Sequence, residues 1–426
     1  MKLLRVRQKL VASPIADIRT AVHAQLDSLG LAVPQGDVAI TAGSRGISNI
    51  PEILRAAGDW LRERGARPFL FPAMGSHNGG TAEGQRAMIE SLGMTEQATG
   101  MPIRASMDVV NLSELASRVV PDPGSHERPR PRLSFPGDVW MDRIAYESAG
   151  VLVINRVKLH TCFAGPVQSG LTKMIVVGMG KTQSATTFHS APTPQMKDML
   201  LEMGQVVLDS GKLWAGLAIL EDGFDQTAEL HAVRPADILR REPQLLERHR
   251  HYFPRLPLDH INVLVVDAIG KTYSGTGMDT NVIGYRGVRD GEDLTKPVIH
   301  VIAALSLAEA SHGNAIGVGL ADFITRPLRD AIDEQKTFLN SFTTGHMGRA
   351  KIPVTFQNDE ELVEMLTTRY GTHGWLFIPN TLHLETLYAS EDLHEALTAI
   401  PLCEVDAQPL ELTFQNGRHQ LAFNGS

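Results

Sequence analysis

Residues 37–71 read DVAITAGSRGISNIPEILRAAGDWLRERGARPFLF, and this stretch decides the fold class. Asp37-Val-Ala-Ile-Thr-Ala42 is a short apolar strand. From Pro51 to Gly65 the residues Ile53, Leu54, Ala57, Trp60 and Leu61 recur at helical spacing, and Ala66-Arg-Pro-Phe-Leu-Phe71 is the next strand. Strand, helix and strand in this order make a βαβ unit, so the sheet is expected to be parallel. A second helix runs from about Thr81, which opens it, to Leu92, with Gly93 closing it. Four prolines follow Pro121 within DPGSHERPRPRLSFP, ending at Pro136, and none can donate to a strand ladder, so that segment reads as an exposed loop.

Further along, Val151-Leu-Val-Ile-Asn-Arg-Val-Lys-Leu-His160 reads as a buried strand whose carboxyl end delivers Asn155, Lys158 and His160 to a surface. In open α/β sheets that end is where ligands bind. Residues 1–257 therefore read as a doubly wound, Rossmann-like α/β domain. The pattern restarts with the strand Asn262-Val-Leu-Val-Val-Asp267 and a glycine-rich turn. Then come the strand Val298–Ala303, an apolar run Ala315–Phe323, and helices Pro327–Leu339 and Asp359–Tyr370. Residues 258–426 are expected to form a smaller C-terminal α/β domain, with the active site in the cleft between the two.

Composition narrows the class. The 426 residues are 43% hydrophobic and 21% charged, enough apolar material for two cores. Cys162 and Cys403 are the only cysteines, too few for a disulfide framework or a four-thiolate zinc site, which fits a reducing cytoplasm. The basic start MKLLRVRQKLVASPIADI sustains no apolar leader core, and no window offers the ~18 apolar residues a membrane span needs. A net charge of −8 argues against sequence-independent nucleic-acid binding.

Three glycine-rich turns carry the chemistry. The first, Ala42-Gly-Ser-Arg-Gly-Ile-Ser-Asn49, follows a strand and precedes a helix. Its small residues, Ser44 and Gly46 among them, let backbone N–H groups approach an anion, and Arg45 adds a bidentate fork for phosphate or carboxylate. An exposed arginine in an ordinary turn is the plainer alternative. The second, Pro72-Ala-Met-Gly-Ser-His-Asn-Gly-Gly-Thr-Ala-Glu83, holds His77 between glycines, where it has little to pack against. The third is HTCFAGPVQSGLTKMIVVGMGKTQSATTFH, residues 160–189. Ser169, Gly170 and Thr172 supply local donors and close approach, and Lys173 lies between Gly-Leu-Thr and Met-Ile-Val-Val. Burial would depress the pKa of such a lysine and make it a nucleophile; otherwise it snorkels from a helix start. His189 is a single candidate metal ligand. No turn matches G-x-G-x-x-G or G-x-x-x-x-G-K-[ST], so neither a dinucleotide fingerprint nor a P-loop is present, and Gly178-Met-Gly-Lys-Thr is only a near miss.

Together these turns resemble the nickel-dependent lactate racemase family. Its His…Ala-Gly…Ser-Gly-x-x-Lys element is similar to His160…Ala164-Gly165…Ser169-Gly170-Leu171-Thr172-Lys173, and its metal-binding histidine, sixteen residues on, corresponds to His189. Its Gly-Thr-His turn resembles Gly75-Ser76-His77, and its Thr-Arg-Pro turn resembles Ser44-Arg45-Gly46. Its substrate loop has the place of Ile269-Gly-Lys-Thr-Tyr-Ser-Gly-Thr-Gly-Met-Asp-Thr-Asn281, with other residues. The resemblance implies an isomerase, a racemase or epimerase of a small 2-hydroxy acid. It implies a nickel-pincer nucleotide attached covalently to Lys173, made by dedicated biosynthetic enzymes, with His189 completing the nickel coordination.

On that reading, hydride transfer bypasses the poorly acidic Cα–H of a hydroxy acid, and one base is needed on each face of the planar keto acid. His77 and His160 are the candidate pair. Arg45 would hold the carboxylate, with Lys271 as a second cation, and Asp279 and Asn281 would read a polar substituent. Two other readings use the same residues: a conventional NAD-linked oxidoreductase or isomerase, and a non-catalytic protein binding a small anion or nucleotide. Elsewhere, His249 and His251 read as a solvated helix end, and Asp359-Glu-Glu-Leu-Val-Glu364 as the exposed start of a helix.

Overall fold

The structure, a computed structural model, describes residues 1–114, 134, 135 and 137–423. The proline-rich segment thus lies outside the described residues, apart from Ser134 and Phe135. The fold is α/β, in two units: Ala12–Tyr252, and Phe253–Ser426 together with Met1–Val11. Strand β1 (Lys2–Gln8) belongs to the second of these, where Leu3, Leu4 and Val6 are buried as the strand takes its place inside that unit's sheet. The sequence reading had grouped these eleven residues with the first domain; pairing on both sides, five residues against one strand and three against another, outweighs nearness in the chain.

The first unit follows the βαβ logic. Helix α1 (Ile18–Ser28) leads to β2 (Asp37–Ala42), helix α2 (Ile50–Arg62) and β3 (Arg67–Pro72). Pro51 sits in the first turn of α2, where its missing N–H costs nothing, and Ile53, Leu54, Ala57, Trp60 and Leu61 are all buried on one face. Next come helix α3 (Ala82–Ser91), capped by Thr81 through Gly84 N–H, and β4 (Gly150–Arg156). Helices α4 (Lys181–Ser190) and α5 (Met196–Asp209), strands β5 (Leu213–Glu221) and β6 (Thr227–Val233), and helix α6 (Ile238–Tyr252) complete the unit. The strand order is β3-β2-β4-β5-β6, parallel except for the last pair. β5 is buried along its whole length, as a central strand covered on both faces must be. Within α6, His249 is buried and only His251 is exposed, so the expected solvated histidine pair is half correct.

The second unit repeats the alternation around β7 (His260–Ile269), β8 (Val298–Leu307) and β9 (Phe323–Thr325). The helix expected over 327–339 is two: α7 (Arg326–Asp330) and α8 (Glu334–Thr344). Asp333 between them caps the second by accepting from Lys336 N–H, which breaks the run. Strand β10 (Val354–Phe356), helix α9 (Asp359–Tyr370), and strands β11 (Trp375–Ile378), β12 (Thr386–Ser390) and β13 (Cys403–Val405) follow. Asp359 opens α9 as expected but is itself buried, accepting from His419 N–H at 3.2 Å. The sheet order is β10-β9-β8-β7-β11-β12-β1-β13, parallel as far as β11 and antiparallel beyond it. Among the described residues no helix is long and apolar enough to cross a membrane.

Candidate functional site

The first unit's sheet has one topological switch point. From β2 the chain moves outward to β3, then returns to lay β4 on the other side of β2. The loops leaving the carboxyl ends of β2 and β4 therefore part in opposite directions, and such a crevice is where open α/β sheets bind ligands. The two strands are tied there by Thr41, whose hydroxyl accepts from Ile154 N–H at 2.8 Å and donates to Ile154 O at 3.1 Å. The loop after β2 carries Ser44, Arg45 and Gly46; the one after β4 carries Lys158 and His160. Glu221, at the end of β5, braces both: it accepts from Ser48 N–H at 2.7 Å and pairs with Arg156.

Lys173 is brought to this end by a fold-back. Lys158 and Ser169 exchange backbone hydrogen bonds of 2.7 and 3.2 Å, and Asn155 Nδ2 donates to Gly170 O at 2.7 Å. The chain then enters a single helical turn, Leu171–Lys173, followed by a π-helical turn, Met174–Gly178, an irregularity that recurs at functional sites. Glu242, fully buried on α6, caps this helix by accepting from Thr172 N–H and Oγ1–H, both at 2.8 Å. Burial pushes the Glu242 carboxyl up to about 7, against those two hydrogen bonds.

The half-buried Lys173 Nζ lies 2.6 Å from His160 Nε2. The other ring nitrogen, Nδ1, accepts from Cys162 N–H at 3.1 Å. A neutral imidazole accepting at Nδ1 carries its hydrogen on Nε2, so His160 is the donor and Lys173 the acceptor. An ammonium has no lone pair to accept with; the arrangement calls for the free amine. Burial brings Lys173 down to about 8, with the charges of Arg45 and Lys158 adding to it against the nearby Cys162 thiol. Burial, then the charge of Lys173, takes His160 to about 4. Both groups are shifted toward their neutral forms, and Lys173 becomes mostly the nucleophilic free amine above about pH 8 rather than above its ordinary 10.5.

The other expected residues divide. Ser44 Oγ and His77 Nδ1 are hydrogen-bonded, which joins the first two glycine-rich turns. Arg45 is exposed and felt electrostatically by both Arg156 and Lys173. His189 is exposed near the end of α4 and contributes to lowering His160; between them runs a file of rings, His160 on Phe163 at 4.4 Å, Phe163 against Phe188 at 6.2 Å, Phe188 against His189 at 5.3 Å. Gly46 faces open space, so no protein atom demands a glycine there, whereas a Cβ on Gly170 would meet Glu242 Oε1 at 2.4 Å. Lys271, Asp279 and Asn281 lie in the second unit, where the Asp279 carboxylate accepts from Asn281 N–H at 2.9 Å and Nδ2 at 3.0 Å to cap a helical turn. The surface concavity beside α5, lined by Gln205, Leu208, Asp209, Pro235, Ala236 and Leu239, holds none of these groups.

Sequence reasoning missed four supporting residues, Glu242, Lys181, Asp142 and Gln85. Glu242 was unremarked inside an Arg- and Glu-rich helix. Lys181, seen only as part of a failed P-loop, is fully buried with Asp142, 3.1 Å away, and donates to Pro72 O and to Gln85 Oε1 at 3.1 Å. Gln85 in turn donates to Gly75 O at 2.7 Å, so Lys181 stands under the turn that carries His77. The small residues around Lys181 were the available signal, since a lysine between Gly180 and a buried helical face has little room to reach solvent.

No family model matches the chain, and no curated protein matches it in sequence. Among solved structures, it is similar to that of the lactate racemase apoprotein from Thermoanaerobacterium thermosaccharolyticum, at 13% identity and a TM-score of 0.49, over 88% of this chain and 93% of that one.

Proposed function

We propose that this chain is an isomerase that racemises or epimerises a 2-hydroxy acid with a nickel-pincer nucleotide tethered to Lys173. One observation carries the reading: a lysine pushed toward its free amine beside His160, at the switch point of a parallel sheet, near the cations Arg45 and Lys158. The residues fit the group. An uncharged amine is what covalent attachment to a carboxyl-derived carbon needs, and the cations suit its phosphate. Among the described residues no three His, Cys, Asp or Glu side chains gather as a metal site, so a metal at His189 would draw its other donors from the bound group.

When bound, the group supplies an acceptor for the two electrons and hydrogen at the substrate's Cα. The chain's residues do the rest. Arg45 holds the carboxylate through its planar fork, which fixes the Cα–H direction. Acylation would remove the basic lone pair of Lys173, so the Nε2–H of His160 loses the acceptor it faces; moving that hydrogen to Nδ1, with loss of the Cys162 N–H bond, would leave Nε2 free to take the substrate hydroxyl proton. His77, oriented by Ser44 at Nδ1, serves the opposite face through Nε2. Glu242 and Asn155 keep the Lys173 turn in place throughout.

The test is intact-protein mass spectrometry with nickel analysis on chain co-expressed with the pincer-nucleotide biosynthetic enzymes. An adduct mapping to Lys173, with nickel near one per chain and both lost in Lys173→Ala, supports the reading. An unmodified, nickel-free chain under those conditions overturns it.

A further inference from the structure

We infer that the second unit carries an oxyanion-binding site of its own, built on Tyr273 and His383, which takes the carboxylate or phosphate group of a small metabolite. The second sheet also has a switch point. From β7 the chain steps outward through β8 and β9 to β10, then crosses back to place β11 on the far side of β7. The loops leaving β7 and β11 thus diverge at their carboxyl ends, as the ligand-binding rule for open sheets requires. They are joined at their base: Ala268 N–H donates to Pro379 O at 2.9 Å, and Asp279 N–H to Thr381 Oγ1 at 2.8 Å.

The first loop presents Lys271 and Tyr273, the second Asn380 and His383. Asn380 Oδ1 accepts two backbone hydrogens, from Leu382 at 2.9 Å and His383 at 2.8 Å, which fixes the amide orientation. Its Nδ2 then donates to His383 Nδ1 at 3.2 Å, so the neutral ring bears its hydrogen on Nε2. The ring meets Tyr273 edge to face, centroids 6.0 Å apart. Among the described residues, neither His383 Nε2 nor the Tyr273 hydroxyl has a hydrogen-bond partner. Burial, and then the Asp267 charge, raises the Tyr273 phenol, which keeps it a donor. Asp267 itself is occupied by His419 Nε2 at 2.9 Å and Arg418 at 3.3 Å, and the Asp279 carboxylate by Asn281. Two half-buried donors with no acceptor, on adjoining loops at a switch point, select an anionic oxygen ligand.

Full-length chain is titrated with malate and, separately, with inorganic phosphate, following affinity by calorimetry and the imidazole hydrogens by nitrogen-15 NMR. One of the two anions is expected to bind saturably and shift the His383 Nε2–H resonance, and which one does so separates a carboxylate ligand from a phosphate. Tyr273→Phe and His383→Gln should each weaken binding at least about ten-fold. Absence of binding by both anions overturns the assignment. So does binding that leaves the His383 resonance unmoved, or that is lost in Arg45→Ala but survives both second-unit variants. The NMR readout on the unmodified chain decides the matter even if a variant fails to fold.

Discussion

Lys173 and Lys181 flank the same π-helical turn and differ in every respect that matters to a buried amine. Lys181 is fully buried and pairs with the equally buried Asp142. Burial lowers its pKa and raises that of Asp142, yet each supplies the other's missing charge. Lys173 faces an imidazole and the charges of Arg45 and Lys158 instead, with no carboxylate partner, so burial drives it toward losing the proton. One segment therefore holds a lysine kept charged by a carboxylate and a lysine pushed toward its free amine, and the partner each one meets sets the difference.

The comparison breaks most visibly at Lys181. Lys181→Met leaves Asp142 buried and alone, and should cost about 3–5 kcal/mol in urea unfolding, while Lys181→Met with Asp142→Leu should recover most of it. If the single variant were as stable as the parent, the structural half of the contrast would fall. Next in size is Gly170→Ala, whose Cβ would press on Glu242 Oε1 and should cost about 1–3 kcal/mol. Glu242→Gln sharpens the point by pH. With the folded pKa near 7 and the ordinary value at 4.5, the native state binds the extra proton in between, so parent stability falls as pH rises through that window. The variant, which carries no charge, should gain on the parent from pH 4.5 to 7 and stay level above.

The smallest stability change belongs to Lys173→Met, within about 1 kcal/mol of the parent at neutral pH. Between pH 8 and 10.5 the unfolded lysine holds a proton that the folded one has lost, so the parent should gain on this variant as pH rises. An amine-selective reagent should label Lys173 with a midpoint near pH 8. A midpoint at the ordinary 10.5 would show that the amine is not held free.

Much of the fold was legible because its signals are local. The strand at Asp37–Ala42 and the helix faces of α2 and α9 come from periodicity within a few residues. The burial of Lys173 and its lowered pKa were also legible, since its apolar flanks lie beside it in the chain. Glu242 and Asp142 were not. Their roles come from contacts with Thr172 and Lys181 across long separations, and nothing in their own neighbourhoods distinguishes them from surface carboxylates. The split between α7 and α8 was missed for a related reason: Asp333 caps only because its side chain turns back to Lys336, and the apolar spacing runs on past it.

Strand β1 has a temporal consequence. It lies between β12 and β13, and Gln8 reaches Leu384, 376 residues along the chain. During synthesis β1 has no partner until β12 and β13, hundreds of residues later, have been made, so the second sheet closes late, around a strand produced long before its neighbours. Such late, long-range pairing makes for slow folding and leaves an apolar strand waiting. A protein begun at residue 12 should assemble its first unit normally and leave the other sheet with a gap where its opening residues belong.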